Sequence, residues 1–274
     1  MRRKVEDTVS YLKVLSEFNI PKDAVLFVSS DIGVFARNMP KFGERFDANA
    51  FIDSMQQLVP DGTLIIPGYT DHLVDGDTFD PAKTKPNVGA LPNKTMRRKD
   101  FVRTEDPLHS IFVWGRDKNR LLACDDESTF GPNSMFAFLQ EMDVYFLFID
   151  IHIQECFTYI HYVEECRKVK YRRYYDYVIN FVKDDQKSRR KVRFYSKKLG
   201  VISDIRRLHT IFEQEGDYDT IDYRGSKLDI LRGKVVYDKA SKCIDEGPAL
   251  YTFSANKWGK DFVKRHILRK KGIL

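Results

Sequence analysis

A histidine placed between a proline and a serine is the residue of this sequence best suited to proton transfer. His109 follows Asp106-Pro107-Leu108 and precedes Ser110. Proline restricts the backbone of this loop, so the imidazole can be held in one position. An unperturbed histidine titrates near neutral pH and serves well as a general base. The sequence therefore predicts that His109 is a general base and favours acyl transfer to an amine.

A second pair of ionisable residues lies on one predicted helix. His161 and Glu164 are three residues apart within 158–167, and side chains at that spacing share a helix face. The carboxylate is suited to orient a histidine or to bind a substrate ammonium; an ordinary surface pair is the alternative. The sequence has no HExxH or CxxC motif. We therefore expect no metal site, and the four cysteines are predicted to be buried free thiols.

Three loops are candidates for binding a phosphorylated acyl carrier. They follow the apolar segment 23–28, span the proline-rich stretch 79–92, and run through 130–134 into a helix for which Ser134 is the predicted cap. The carboxyl ends of strands and the N-termini of helices present backbone N–H groups to such ligands. No GxxxxGK[ST] or GxGxxG motif is present, which argues against a nucleotide hydrolase and a Rossmann dehydrogenase.

The elements that must position these residues alternate between helices and strands. Uninterrupted apolar runs predict buried strands at 23–28, 63–66, 111–114 and 144–149. Helices are predicted at 7–18, 46–58, 134–142 and 158–167. This alternation is typical of an α/β fold with a central sheet covered on both faces. Past residue 170 we predict half-exposed strands at 174–181, 191–195, 233–237 and 249–253.

Composition and charge limit the remaining possibilities. The chain has 274 residues, of which 42% are hydrophobic, enough for one domain over 1–274. We expect an α/β body over about 1–170 and a β-rich, basic portion over about 171–274. Its net charge of +6 is concentrated in clusters at 167–173, 187–191 and 265–271, and basic clusters attract phosphates. No apolar run suits a membrane span or a secretory signal, so we expect a cytoplasmic protein.

Several motifs resemble those of the aminoglycoside 3-N-acetyltransferase family, also called the antibiotic N-acetyltransferase family. They are FDPA-x-T-x-P-x-VGALP at 79–92, P-x-HS at 107–110, FGP-x-S-x-FA-x-L at 130–139 and T-x-x-H-x-x-E at 158–164. Their order and spacing agree over roughly residues 10–175. The resemblance implies a CoA-dependent N-acyltransferase with the family's α/β fold, which is unrelated to the GNAT fold.

The resemblance also implies roles for individual residues. The catalytic histidine of the family maps to His109, and its helix carboxylate maps to Glu164. The residues expected around coenzyme A are Ser29, Ser30, Val88, Gly89, Ala90, Leu91, Ser110, Gly131 and Ser134. The residues expected around the acceptor are Thr70, Asp71, His72, Thr158 and His161. In the expected mechanism the acceptor amine attacks the thioester directly and His109 removes its proton, without a metal.

Three positions depart from the family pattern, and they lie near the expected amine. The family's His-Ser-Ser after the first strand reads Ser29-Ser30-Asp31, a histidine before the proline reads Asp106, and a glycine-rich turn reads Asp150-Ile151-His152-Ile153. Aminoglycosides are polycations, and this chain is itself basic, so like charges would repel. We therefore expect a nucleotide-linked amino sugar, destined for a surface polysaccharide, as the acceptor.

Two alternatives remain open. One is an aminoglycoside acceptor, with antibiotic resistance as the outcome. The other is a basic protein that binds nucleic acid or another polyanion and has no enzymatic activity; we expect neither a nucleic-acid nor a membrane partner. The acyl chain and the choice between a monomer and a homodimer are not fixed by the sequence.

Overall fold

Helices and strands alternate through most of the chain, of which the computed structural model describes residues 11–247, 250–254 and 259. In this part of the chain the α-helices are α1 (Tyr11–Leu15), α2 (Ile32–Asn38), α3 (Ala48–Leu58), α4 (Ala90–Thr95), α5 (Lys118–Leu122), α6 (Met135–Glu141), α7 (Ile153–Cys156), α8 (Tyr159–Cys166), α9 (Arg206–Gln214) and α10 (Gly233–Glu246). Two short 3-10 helices span Ser16–Phe18 and Met39–Phe42.

The strands of the same residues form three sheets. They are β1 (Val25–Ser30), β2 (Thr63–Pro67), β3 (Thr78–Phe79), β4 (Val102–Arg103), β5 (Ile111–Gly115), β6 (Tyr145–Ile149), β7 (Arg172–Lys183), β8 (Gln186–Lys197), β9 (Val201–Ser203), β10 (Asp219–Tyr223), β11 (Ser226–Arg232) and β12 (Tyr251–Phe253). Seven of them form one mixed sheet in the order β10-β11-β6-β1-β2-β5-β4. β6, β1 and β2 are parallel, so their carboxyl ends lie at one edge of this sheet.

The central sheet is covered on both faces, as the sequence predicts. Successive side chains of β1 alternate between two apolar clusters: Phe27 joins one and Leu26 the other. The first cluster receives α6, α8 and α10, through residues such as Leu139, Val163 and Val236. The second receives α1 to α3. Because both faces are buried, β1, β2, β5 and β6 each contain an uninterrupted apolar run, which explains why these strands could be identified from the sequence.

β7 and β8 form a hairpin of twelve residue pairs, and β7 also pairs with β3. These three strands form a sheet separate from the central sheet. Ile179, Phe181 and Val192 face inward and form a third apolar cluster with Phe79. The basic cluster 187–191 lies in β8. Part of its charge is neutralised, because Arg190 pairs with Asp125 at 2.6 Å.

The structure differs from the prediction mainly after residue 200. Residues 233–237, predicted as a strand, begin α10 instead, because Val236, Ala240 and Cys243 are buried at helical spacing. β10 and β11 are not separate from the body but extend the central sheet through β6. The predicted strand 249–253 corresponds to β12 (Tyr251–Phe253). Ala249, residues 7–10 of the first predicted helix and the basic cluster 265–271 lie outside the described residues.

None of the helices in the described ranges is long and apolar enough to cross a membrane.

Candidate active site

A pocket of about 530 Å³ lies at the carboxyl edge of the three parallel strands. Residues at or just after the ends of β1, β2 and β6 line it, together with the loop that leads into α4 and the last residues of α7. The residues that line it are Val28, Ser29, Ser30, Asp31, Pro67, Tyr69, Asp71, Asn87, Val88, Gly89, Ala90, Pro92, Asp150, Ile151, Glu155, Cys156 and Thr158. It lies where ligands bind in open α/β sheets.

The side chains that line this pocket make it acidic. Asp31, Asp71, Asp150 and Glu155 line it, and none of the described Lys, Arg or His side chains does. Asp31 caps α2 by accepting a hydrogen bond from Gly33 N, and Asp71 Oδ1 accepts one from Asn87 Nδ2 at 2.7 Å. A concave surface with charges of one sign raises the local concentration of counter-ions. The pocket is therefore suited to a ligand with several ammonium groups.

Asp150 is held in an unusual backbone conformation at this edge. Its φ is +50°, in the left-handed region that Asn and Asp tolerate better than most residues. Its Oδ1 accepts a hydrogen bond from Lys227 N at 2.9 Å, while its Oδ2 is buried without a hydrogen-bond partner among the described residues. An unpaired buried carboxylate oxygen is costly, so it is ready to pair with a cation from a ligand.

The loop of residues 87–92 requires glycine at its centre. Gly89 has a φ of +111°, a conformation that side-chain-bearing residues rarely adopt. Asn93 Nδ2 holds the loop by donating to Gly89 O at 2.7 Å, and the fully buried Leu91 anchors it from below. Gly89 and Ala90 thereby present their backbone to the pocket.

Arg103 connects this loop region to the histidine loop. Its Nη2 donates to Gly68 O at 2.6 Å and its Nε to Ser110 Oγ at 3.0 Å. Burial lowers the pKa of Arg103 to about 10, so the guanidinium stays charged at neutral pH. Ser110 is itself fully buried and donates to Gly68 O at 2.8 Å. The hydroxyl of Ser110 thus joins two loops and does not reach the pocket.

His109 lies behind the pocket in an aromatic environment. The whole residue is 4% exposed, and the ring of Tyr69, whose centroid is 4.9 Å away, packs against its ring edge-on. Asp106 Oδ1 accepts hydrogen bonds from the backbone N–H of Leu108 and His109, which fixes the turn. Burial lowers the pKa of His109, although the charges of Asp106 and Asp71 oppose this. His109 borders only a water-sized cavity of about 30 Å³ on its far side.

His161 forms a buried ionic cluster with Glu164. The two are 2.7 Å apart, Nδ1 to Oε2, and Tyr171 donates to the other carboxylate oxygen at 2.8 Å. Arg172 Nε lies 2.6 Å from Oε2, at ion-pair distance but without the angle of a hydrogen bond. Burial and the Arg172 charge lower the pKa of His161 to about 4. Burial raises the pKa of Glu164, but Arg172 and His161 outweigh it, so the net shift is downward.

Glu164 and His109 are not partners in this arrangement. The Glu164 carboxylate is occupied by His161, Tyr171 and Arg172, and Phe130 packs against both histidine rings. The carboxylate therefore orients His161 rather than His109. The sequence left open whether Glu164 orients a histidine or binds a substrate ammonium, and the histidine beside it in the structure is His161.

Seven of the other predicted site residues come together at the pocket, and seven do not. Those that line it are Ser29, Ser30, Asp71, Val88, Gly89, Ala90 and Thr158. The residues placed away from its lining are Thr70, His72, Leu91, Ser110, Gly131, Ser134 and His161. Thr70 Oγ1 donates to Pro107 O at 2.5 Å, and Ser134 caps α6 as predicted. These two hydroxyls therefore hold the scaffold.

Several lining residues were missed because no motif specifies them. Tyr69 and Glu155 belong to no motif and only follow strand ends, while Asn87 occupies a variable position within the 79–92 motif. Cys156 also lines the pocket, but burial raises its pKa to about 12 and keeps it a thiol. Among the described residues there is no group of three or more His, Cys, Asp or Glu side chains suited to hold a metal ion.

Comparison with solved structures shows a shared fold. The aminoglycoside acetyltransferase AAC(3)-IVa apoenzyme is 17% identical, with a TM-score of 0.71 over 90% of this chain and 91% of that chain. AAC-IIIb in a binary complex with CoASH is 15% identical, with a TM-score of 0.72 over 86% and 95%. YokD from Bacillus subtilis is 16% identical, with a TM-score of 0.69 over 85% and 96%.

Sequence comparison identifies the family. No curated protein matches this sequence. The family profile of aminoglycoside 3-N-acetyltransferases, however, matches residues 41–245, which contain the 79–92, 107–110, 130–139 and 158–164 motifs. This match confirms the predicted resemblance and leaves no need for a non-enzymatic polyanion-binding role. The chain belongs to the aminoglycoside 3-N-acetyltransferase family and is an acyl-CoA-dependent N-acyltransferase.

Proposed function

We propose that this protein transfers an acetyl group from acetyl-CoA to an amino group of a polycationic amino sugar of the aminoglycoside type. The observation that carries the proposal is the acidic lining of the pocket, with Asp31, Asp71, Asp150 and Glu155 and no described cationic side chain. An aminoglycoside brings several ammonium groups, whereas a nucleotide-linked sugar brings a diphosphate that these carboxylates would repel. The nucleotide-linked amino sugar expected from the net charge is therefore not supported.

The acyl carrier has a suitable surface on the neutral side of the same pocket. Ser29 and Ser30 supply hydroxyl groups, and Gly89 supplies backbone without a side chain. We assign the thioester end of acetyl-CoA to these residues. The phosphates of coenzyme A belong outside the acidic lining. One neighbour with this fold, AAC-IIIb, was solved with CoASH.

The general base is proposed to be His161, oriented by Glu164. His161 lies three residues after the pocket residue Thr158, and 24% of its side chain is exposed, against 4% of His109 as a whole residue. When Nδ1 donates to Glu164, the lone pair on Nε2 is the basic site, with Arg172 Nη2 3.3 Å from Nε2; the same Nη2, 2.7 Å from Nδ1, favours the opposite tautomer. A base oriented by a carboxylate follows the logic of a catalytic triad.

His109 remains the second candidate for the base. The family motif P-x-HS supports it, and its Nδ1 is buried without a hydrogen-bond partner among the described residues. Its drawback is that Tyr69 lies against its ring on the pocket side. A proton would need a relay to reach it from the pocket.

The reaction balances without a covalent enzyme intermediate. The amine nitrogen forms a bond to the thioester carbon while a histidine takes its proton. The resulting tetrahedral oxyanion collapses, and the carbon–sulfur bond breaks. The thiolate of coenzyme A then takes up the proton and leaves as a thiol. The carboxylates of the pocket hold the remaining ammonium groups and so fix which amine faces the thioester.

A panel of acceptors tests the proposal through the release of free coenzyme A thiol. We expect turnover with apramycin or sisomicin and none with a nucleotide-linked amino sugar. Asp150→Asn keeps the bond to Lys227 N and removes the charge. It should raise KM for the aminoglycoside about 10-fold, the effect of losing one charged contact, and leave KM for acetyl-CoA unchanged. Turnover of the nucleotide-linked sugar alone would contradict the proposal.

A further inference from the structure

Tyr69 occupies the boundary between the pocket and His109, and two other segments of the chain fix its backbone. On either side of it, Gly68 N donates to Ser110 O and Thr70 N donates to Leu108 O, both at 2.8 Å. Tyr69 O itself accepts a hydrogen bond from Asn87 N at 3.0 Å. The residue therefore links the end of β2 to the histidine loop and to the glycine loop of the pocket.

The side chain of Tyr69 is held as firmly as its backbone. It is 4% exposed and packs edge-on against His109, at 4.9 Å between ring centroids. Since the ring cannot turn away without disrupting this contact, its hydroxyl has one direction available, and Tyr69 is one of the residues that line the pocket.

The hydroxyl of Tyr69 has no hydrogen-bond partner among the described residues. Its oxygen is buried and makes no hydrogen bond of normal geometry with the described residues, although Thr158 is nearby. Buried hydroxyl groups in native proteins are nearly always hydrogen-bonded, and an exception calls for an explanation. Tyr69 lines the pocket, so its unpaired hydroxyl is explained when a ligand atom in the pocket accepts its hydrogen bond.

The protonation of Tyr69 makes it a donor under all working conditions. Burial, followed by the charges of Asp106, Cys156 and Asp71, raises its pKa well above the usual value of 10.0. The lining also holds the hydroxyls of Ser29, Ser30 and Thr158, but Tyr69 adds a neutral O–H on a rigid ring, and Asn87 Nδ2 is already bonded to Asp71. Negative charge that develops in such a pocket needs a fixed donor.

We propose that Tyr69 Oη donates a hydrogen bond to the carbonyl oxygen of the acyl thioester and stabilises the oxyanion of the tetrahedral intermediate. When the amine adds to the acyl carbon, the carbonyl π electrons move to this oxygen. When the carbon–sulfur bond breaks, the carbonyl re-forms and the hydrogen bond weakens. Tyr69 is then a catalytic residue that keeps its own proton. The assignment rests on the proposed use of this pocket for acyl transfer, not on the identity of the acceptor.

Tyr69→Phe tests this role because it removes only the hydroxyl and keeps the ring against His109. We expect kcat to fall about 10²- to 10³-fold, as for the loss of one oxyanion donor. KM for acetyl-CoA should stay within threefold of the unaltered enzyme, and Tm should be unchanged or higher because an unsatisfied group is gone. Tyr177→Phe, in the hairpin cluster, is the matched control and should leave kcat unchanged.

Two results would overturn the assignment. One is a Tyr69→Phe enzyme whose kcat is within threefold of the original. The other is a fall in kcat accompanied by a loss of Tm, which would assign the hydroxyl to folding. The assay uses whichever acceptor the unaltered enzyme accepts. A failure of the aminoglycoside proposal would therefore appear in the acceptor panel and leave the Tyr69 comparison intact.

Discussion

At the scale of single residues, His109 and His161 differ in the residues that surround them rather than in their chemistry. His161 has a carboxylate at 2.7 Å and a partly exposed ring, whereas His109 is surrounded by Tyr69, Phe130 and Phe194. The pKa of each is lowered by burial, so each is neutral at pH 7 and able to accept a proton. Neither ring lines the pocket, so the exposure of the ring and its carboxylate partner separate the two candidates, and mutation can measure the difference.

Replacing each histidine by asparagine tests which one is the base. His161→Asn should lower kcat by about 10²- to 10⁴-fold, the usual effect of removing a general base. His109→Asn should lower kcat less than 10-fold and act mainly on Tm, because its ring fills an aromatic cluster. Steady-state kinetics and thermal unfolding of both variants distinguish these effects. The reverse order of kcat losses would return the role of base to His109.

The sequence predicts part of the site, for reasons that apply residue by residue. Ser29, Ser30 and Thr158 could be placed because they follow an apolar strand or belong to a motif. Tyr69 and Asp150 could not be assigned roles, because these depend on what lies opposite them. For Asp150 the opposite residue is Lys227, 77 positions later in the chain. No local pattern contains that information.

At the scale of elements, the β7–β8 hairpin shows how the conformation of a turn limits the stability of a long hairpin. Asp184 and Asp185 connect its two strands with φ values of +49° and +61°. Two left-handed residues in succession are typical of a type I′ turn, for which Asn-Gly is the preferred pair. This conformation costs a residue with a side chain roughly 1–2 kcal/mol, a cost that glycine does not have.

Asp185→Gly should therefore stabilise the protein. We expect a gain of about 1 kcal/mol in the free energy of unfolding, which raises Tm by roughly 2–4 °C for a domain of this size. The ion pair lost with Lys83 is highly exposed and contributes little. Differential scanning calorimetry measures the change, and Asp185→Val, which worsens the same strain, should lower Tm. Equal Tm values for both variants would disprove the turn argument.

Elements were predictable where one local pattern dominates. The body strands are apolar on both faces, so a run of four to six residues identifies them. In contrast, α9 buries only Leu208 and Phe212, and α10 begins with a β-like sequence whose helical period appears only over a longer stretch. The membership of β10 and β11 in the central sheet depends on pairing with β6, which sequence periodicity does not reveal.

At the scale of the whole molecule, net charge is a poor guide to the site. The chain carries +6 overall, yet the pocket it builds is lined by four carboxylates. The basic residues lie elsewhere, as in the hairpin, where Arg193 and Lys191 pair with Asp176. The expected anionic acceptor is not supported for this reason: attraction acts over about one Debye length, ≈ 8–10 Å, so a ligand responds to the local lining.

Acid should destabilise the whole fold in a defined pH window. The folded pKa of His161 is about 4, against 6.5 for the unfolded chain, so between these values the unfolded state binds the extra proton. The free energy of unfolding should therefore fall as pH decreases from 6.5 towards 4, and the shift of His109 acts in the same direction.

Chemical denaturation at pH 7.5, 6, 5 and 4.5 measures this dependence. Glu164, whose pKa is lowered, keeps its contribution until lower pH. His161→Asn should have a weaker pH dependence than the unaltered protein. Constant stability across the series would show that His161 is not held neutral in the fold.

The pairing of β11 with β6 also has a consequence for the order of synthesis. Asp150 receives its backbone partner from Lys227, which leaves the ribosome 77 residues later. Until β11 emerges, the outer edge of β6 has no strand to pair with and one side of the pocket lacks its support. The nascent chain can therefore bury much of its core long before it can bind an acceptor, and a product truncated ahead of residue 226 would lack a complete pocket.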